Sequence, residues 1–98
     1  MAKRIIWSER AKRERRRILG YWEEVTGNKR YSKKLARHFN NTVTVIANHN
    51  FGRDTEFPGV RKALSAKYYL IYYKATLSTV EIFAIWDGRR NPANLKLG

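Results

Sequence analysis

The stretch KYYLIYYKATLSTVEIFAIW, Lys67 to Trp86, contains two runs of β-branched and aromatic residues separated by a short polar segment. In the first run, Lys67 to Lys74, apolar or aromatic side chains fill both sets of alternate positions, which is typical of a strand in the centre of a sheet. The segment ATLST has the composition of a turn, and the run from Val80 to Trp86 is similarly apolar. The pattern therefore predicts a β-hairpin whose first strand is central.

The first third of the chain predicts a short strand and an amphipathic helix. The β-prone run KRIIW, Lys3 to Trp7, stops at Ser8, a residue type that favours the N-cap position of a helix. The following residues place apolar side chains on one helical face and arginines on the other. The apolar positions are Ala11, Ile18, Trp22 and Val25, and the basic positions are Arg10, Arg13 and Arg17.

A second helix is predicted over the segment YSKKLARHFNNTVTVIANHN. Its apolar positions, spaced four, three and four residues apart, mark one helical face and are Leu35, Phe39, Thr42 and Ile46. The run TVTVI also suits a strand because β-branched residues alternate there, but the longer periodicity favours the helix. A loop, NFGRDTEFPG, then precedes a short predicted strand from Val60 to Leu64.

These elements predict a single α+β domain over residues 1–98 in the order β-α-α-β-β-β, with both helices packed on one face of a small, mainly antiparallel sheet. A chain of 98 residues is long enough for one hydrophobic core. It has no cysteine, and its two histidines, His38 and His49, are too few for a zinc cluster, so we expect no metal or other cofactor. No apolar stretch approaches the roughly 20 residues that span a bilayer, and we expect a cytoplasmic protein without a membrane partner.

The chain is strongly basic, with 21 Lys and Arg against 8 Asp and Glu and a formal net charge of +13. Such an imbalance predicts an anionic partner. The arginines on the outer face of the first helix, Arg10, Arg13 and Arg17, are predicted to contact nucleic-acid phosphates. The alternatives are contact with an acidic protein, or no role beyond keeping that face solvated.

Three segments of the chain resemble the RelE/ParE superfamily of toxins from bacterial type II toxin–antitoxin modules. They are IIWSERAKRERRRILGYWEE, GVRKALSAKYYLIYYK and VEIFAIWDGRRNP, and the resemblance covers nearly the whole chain. It implies a toxin that a cognate antitoxin keeps silent. RelE-like members enter the ribosomal A site and cut messenger RNA without metal, through attack of the 2′-hydroxyl on the adjacent phosphate. ParE-like members instead bind and poison DNA gyrase.

If the protein cleaves RNA, the site is expected at the end of the last strand, where Asp87 and Gly88 precede two adjacent arginines. Guanidinium groups make permanently charged, bidentate contacts with phosphate, and Gly88 would free the backbone to turn them toward the substrate. An antiparallel sheet could bring five basic side chains to one concave end. These are Arg61, Lys62, Lys67, Arg89 and Arg90. The simpler interpretation is a solvated loop with a surface ion pair.

The sequence offers several candidates for the groups that would transfer protons. RelE-like nucleases carry His or Tyr at or just after the end of the last strand, and WDGRRNPANLKLG contains neither. Asp87 is predicted to orient Arg89 or to act as the base. Lys62 or Lys67 is another candidate base, because a lysine crowded by arginines loses its proton more easily, and Tyr68 is a candidate proton donor.

Three functions therefore stay open on the sequence alone. The basic strand ends and the net charge favour a ribosome-dependent messenger RNA endonuclease, which we place first. The missing His or Tyr and the ParE-like central strand favour a non-enzymatic gyrase inhibitor. A detoxified homologue that only binds nucleic acid is the third.

Overall fold

The computed structural model describes residues 2–49 and 51–97. Five strands and two helices follow one another along the chain. They are β1 (Arg4–Trp7), α1 (Glu9–Thr26), α2 (Arg30–Asn48), β2 (Arg53–Asp54), β3 (Arg61–Ser65), β4 (Tyr69–Ala75) and β5 (Thr79–Asp87), followed by a 3-10 turn at Pro92–Asn94. The strands form one sheet in the order β1-β5-β4-β3-β2. The predicted α+β architecture is confirmed, with β2 as an added strand inside the predicted loop.

The strand β4 lies in the middle of the sheet, as its apolar sequence predicts. It pairs antiparallel with β3 on one side and with β5 on the other, whereas β1 pairs parallel with β5. Tyr69, Ile71 and Tyr73 pack toward the helices, and Leu70 and Tyr72 pack on the opposite face. Both sets of alternate positions are apolar because both faces of the sheet are covered.

The helix α1 begins and ends at residues suited to those positions. The Ser8 hydroxyl accepts a hydrogen bond from the Ala11 amide at 3.0 Å and donates one to the Phe83 carbonyl at 3.1 Å. The helix stops at Gly27, whose φ of 75° is left-handed. Val25, assigned by its spacing to the apolar face, is 57% exposed, so the buried stripe of α1 ends before its last turn.

The helix α2 continues through the TVTVI segment, where strand propensity competes with helical periodicity. Val43, Ile46 and Ala47 are buried in the core beneath it. The Thr42 hydroxyl also donates to the Ser65 hydroxyl of β3 at 2.7 Å. Packing of this face onto the sheet therefore outweighs the local preference of β-branched residues for strands.

The residues after β5 cover the second face of the sheet, which the sequence pattern did not predict. Leu95 is 4% exposed and packs with Tyr72, Ala84 and Trp86 in a second apolar cluster.

Among residues 2–49 and 51–97, no helix is both long and apolar enough to cross a membrane. The same residues contain no group of three or more side chains suited to holding a metal ion.

Candidate functional site at the end of the last strand

A tight turn follows β5 and fixes the position of the two arginines. The Gly88 amide donates to the Tyr68 carbonyl at 2.7 Å, and the Arg90 amide donates to the Asp87 carbonyl at 3.0 Å. A Cβ at Gly88 would lie 2.7 Å from the Tyr68 carbonyl oxygen, closer than real Cβ contacts allow. The glycine is therefore required by a close backbone approach, rather than by the conformational freedom expected from the sequence.

Asp87 and Arg89 form a bidentate ion pair. Arg89 Nε donates to Oδ1 at 2.9 Å, Nη2 donates to Oδ2 at 2.7 Å, and the Arg89 amide also donates to Oδ1 at 2.9 Å. These bonds from the Arg89 side chain lower the pKa of the Asp87 carboxyl below its usual value. The geometry matches the first of the two roles predicted for Asp87, the orientation of Arg89, since a carboxylate with a lowered pKa is a weak base.

Aromatic rings hold the basic side chains at this end of the sheet. The guanidinium carbon of Arg89 lies 4.5 Å from the centre of the Tyr68 ring, and that of Arg90 lies 4.5 Å from the Trp86 ring. Lys67 Nζ lies 5.5 Å from the centre of the Tyr68 ring. Three of the five predicted basic residues, Lys67, Arg89 and Arg90, therefore meet at one corner of the molecule.

The other two basic residues lie elsewhere, and the predicted convergence of all five is wrong. Because β3 runs antiparallel to β4, Ser65 pairs with Tyr69 at the site, whereas Arg61 pairs with Tyr73 at the far end. Four residues of strand correspond to about 13 Å. Lys62 is next to Arg61 and belongs to the same far end of β3.

Arg61 is instead engaged in holding the segment that leads into β2. Its Nη2 donates to the Gly52 carbonyl at 2.8 Å, its Nη1 lies 3.3 Å from Asp54 Oδ1, and its Nε donates to the Tyr73 hydroxyl at 3.3 Å. The Tyr73 hydroxyl donates in turn to the Phe51 carbonyl. These contacts give Arg61 a structural role.

A cleft of about 320 Å³ separates α1 from the end of β5. Arg17 and Tyr21 of α1 line one side, and Arg89 and Arg90 line the other. Glu14 also lines it, but its Oε1 accepts from the Ile85 amide at 3.1 Å and its Oε2 pairs with Arg10. Glu14 thus joins α1 to β5, whereas the sequence indicates only its pairing with Arg10, four residues earlier on the helix.

Tyr69 is the buried tyrosine of the cleft. Burial raises the pKa of its hydroxyl, and that hydroxyl accepts a hydrogen bond from Trp22 Nε1 at 2.9 Å. Trp22 also packs edge-on against Tyr21 and Tyr31. This aromatic group joins the two helices to the site, and its members were not singled out as site residues from the sequence.

The three arginines that were predicted to bind nucleic acid differ in their surroundings. Arg10 pairs with Glu14 at 3.3 Å and donates to the Lys96 carbonyl, so it ties α1 to the chain beyond β5. Arg13 and Arg17 are exposed, and the described part of the chain offers neither of them a hydrogen-bond partner. Of the three arginines, Arg13 and Arg17 therefore have side chains free to contact a partner molecule.

A solved structure described as the chromosomal ParDE TA system from P. aeruginosa has the same fold, with a TM-score of 0.74 and 19% sequence identity; the match covers 88% of this chain and 96% of that chain. The family model described as the ParE toxin of the type II toxin-antitoxin system, parDE, matches residues 5–92. The chain therefore belongs to the ParE toxin family. A search among curated proteins finds no match.

Proposed function

We propose that this protein is the toxin of a ParDE-type module, that a cognate antitoxin neutralises it, and that it acts by binding DNA gyrase without cleaving RNA itself. The observation that carries this proposal is the match of residues 5–92 to the ParE toxin family. The resemblance to the RelE/ParE superfamily implies that ParE-like members bind and poison gyrase. This order reverses the one favoured by the sequence, which placed the nuclease first.

The chemistry of the strand end supports the same choice. Cleavage through the 2′-hydroxyl needs a base to take its proton and an acid to protonate the leaving oxygen. Among the described residues of the cleft, Asp87 is bonded to Arg89 with a lowered pKa, and Glu14 is bonded to Ile85 and Arg10. Both carboxylates are engaged in bonds that hold the structure together. The remaining features of the cleft are basic and aromatic side chains, which suit binding rather than proton transfer.

The messenger RNA endonuclease is a second candidate because one observation favours it. Lys67, Tyr68, Arg89 and Arg90 lie together, and they would supply positive charge for a phosphate and one phenol for proton transfer. In this candidate function, the cluster stabilises the crowded phosphate and Tyr68 protonates the leaving oxygen.

The two functions are separated by running two assays on the same preparation. We expect the protein to inhibit supercoiling by purified gyrase and to leave messenger RNA intact in primer extension from a purified translation system. Arg90→Ala should weaken gyrase inhibition, whereas Arg53→Ala should not, since Arg53 lies on β2 at the other edge of the sheet. Ribosome-dependent cuts that disappear in Arg90→Ala, with supercoiling unaffected by the wild type, would establish the nuclease instead.

A further inference from the structure

A second basic surface lies between α2 and the turn that joins β3 to β4. It is a groove of about 460 Å³, and the side chains that line it include no acid. They belong to Tyr31, Lys34, Leu35, His38, Ala66 and Lys67. Lys34 and His38 are one helical turn apart, and Ala66, at a left-handed φ of 56°, forms the bend that places Lys67 opposite them.

The helix α2 has no acid of its own to balance this charge. Its first eight residues include four basic ones, and none of its 19 residues is Asp or Glu. The ion pairs of the described residues are formed within α1, between Arg61 and Asp54, and between Arg89 and Asp87. Among the described residues, no basic side chain of α2 takes part in an ion pair, although Glu23 of α1 accepts a hydrogen bond from the Ser32 hydroxyl of α2 at 3.2 Å. The helix α1, in contrast, pairs Arg10 and Lys12 with its own glutamates.

The groove is continuous with the corner at the end of β5. Lys67 lines the groove and lies 5.5 Å from the centre of the Tyr68 ring, and Arg89 lies 4.5 Å from the same ring. The α2–turn band, as we call it, consists of Lys34, His38, Lys67, Tyr68 and Arg89. Asp87 and Arg89 form an ion pair, so Arg89 adds no net charge, and the cations of the band left unpaired by the described residues are Lys34 and Lys67.

We propose that the α2–turn band binds the phosphate backbone of duplex DNA, so that the toxin contacts DNA as well as the gyrase protein. This inference rests on the proposed function, since gyrase acts on duplex DNA. DNA presents about one negative charge per 1.7 Å of helix axis, and long basic side chains gain affinity for it by releasing counterions. Backbone contacts of this kind need charge on a rigid support, which α2 and the turn provide.

Two observations favour duplex DNA over other polyanions. The two partly exposed rings, Tyr31 and Tyr68, already have partners within the protein. Lys67 and Arg89 contact Tyr68, and Trp22 packs edge-on against Tyr31 with 4.9 Å between the ring centres. Neither ring is thus a free platform for stacking on an unpaired base. Leu35, the large aliphatic residue of the groove, is 1% exposed, so the groove lacks the apolar socket that a protein segment uses as an anchor. Basic side chains beside rings that are already engaged, with no apolar socket, fit a contact with the phosphate backbone.

The test measures fluorescence anisotropy of a labelled DNA duplex with the purified full-length toxin over a range of salt concentrations. The double variant Lys34→Gln/Lys67→Gln should bind about tenfold more weakly. The slope of log affinity against log salt should fall by about 2, because each lost phosphate contact accounts for about 0.9. The matched control Lys74→Gln/Lys96→Gln removes the same charge from exposed positions outside the band and should keep the wild-type slope.

Three outcomes with the variants would overturn the inference. They are an equal loss of affinity in both double variants, a loss seen only with Arg13→Gln/Arg17→Gln, and a band variant that keeps DNA affinity but loses antitoxin affinity. Thermal melts that match wild type would show that each variant is folded. A toxin that inhibits gyrase without binding duplex contradicts this inference alone. A toxin that binds duplex through the band but leaves supercoiling unchanged supports the band and contradicts the proposed function.

Discussion

At the scale of single residues, the strand end is organised by one carboxylate and one glycine. Asp87 accepts three hydrogen bonds from Arg89, and these bonds hold the Arg89 guanidinium over the Tyr68 ring. Gly88 allows the backbone to approach the Tyr68 carbonyl. The arginines are thus held by short-range contacts that the sequence DGRR does not reveal by itself.

We predict that the contribution of Asp87 to stability depends on pH. Because the folded-state pKa of Asp87 is lowered from 3.8, its stabilisation is complete above the unfolded-state pKa and is lost as pH falls through the folded-state value. The melting temperature of Asp87→Asn should therefore lie below that of wild type at pH 7 and approach it as pH falls below 3.8 through the folded-state pKa. Asp54→Asn, which removes an 88% exposed carboxylate, is the control and should change little over the same pH range. If the melting temperatures of wild type and Asp87→Asn differed by the same amount at every pH, the ionic origin of the effect would be contradicted.

A second prediction concerns the close approach at Gly88. Gly88→Ala places a Cβ 2.7 Å from the Tyr68 carbonyl oxygen and should lower the free energy of unfolding by about 1–3 kcal/mol. Gly20→Ala is the matched control, because nothing lies within 4 Å of its Cβ and alanine stabilises a helix by up to about 1 kcal/mol over glycine. Urea denaturation of both variants measures the difference. A Gly88→Ala protein as stable as wild type would show that the turn relaxes freely.

At the scale of elements, α1 completes the sheet as well as covering it. The strand β1 pairs with β5 only as far as Ile82. Beyond that point, the Ser8 hydroxyl bonds the Phe83 carbonyl and the Glu14 carboxylate bonds the Ile85 amide. The start of α1 thus satisfies backbone groups of β5 that would otherwise lie on an open edge.

Ser8 should accordingly matter more than an ordinary N-cap. Ser8→Ala removes both the helix cap and the bond to Phe83, and we predict a loss of about 2 kcal/mol in the free energy of unfolding. Ser78→Ala, in the exposed turn between β4 and β5, should be within about 0.5 kcal/mol of wild type. Chemical denaturation followed by circular dichroism checks both. Equal stabilities for the two variants would rule out the dual role of Ser8.

The helices, the hairpin and the cap at Ser8 can be predicted from the sequence, because each depends on periodicity or on residue type over a few positions. The distance between Arg61 and Arg89 cannot, since it follows from strand register. The bond from Glu14 to Ile85 spans 71 residues and depends on how α1 docks. Register and docking are properties of the folded chain, and they decide which basic residues share a site.

At the scale of the whole molecule, two basic surfaces of different character contribute to the net charge of +13. The α2–turn band is free of uncompensated acid, whereas the outer face of α1 mixes arginines with glutamates. We assign the α1 face to the acidic antitoxin, with Arg13 and Arg17 as its exposed cations. The two anionic partners would then use separate surfaces.

This division predicts the behaviour of the toxin–antitoxin complex. The product of an adjacent short reading frame, if acidic, should co-purify with the protein and restore growth to cells that express it. Arg13→Gln/Arg17→Gln should weaken that complex several-fold at low salt, measured by calorimetry, because charge complementarity acts mainly in dilute salt. Lys34→Gln/Lys67→Gln serves as the charge-matched control and should leave it unchanged. A neighbouring product that neither co-purifies nor rescues growth would contradict the assignment to a module.

The parallel pairing of β1 with β5 also bears on what happens during translation. The strand β1 can pair only after β5 has been synthesised. The Ser8 hydroxyl likewise bonds to a carbonyl 75 residues later in the sequence. Contacts of such separation form late, after the intervening chain has emerged from the ribosome. Arg89 and Arg90 follow β5 directly, so their corner cannot exist on the nascent chain. On the proposed function, a newly made toxin would gain its binding corner only after its synthesis has passed β5, when an antitoxin already present in the cell could meet it.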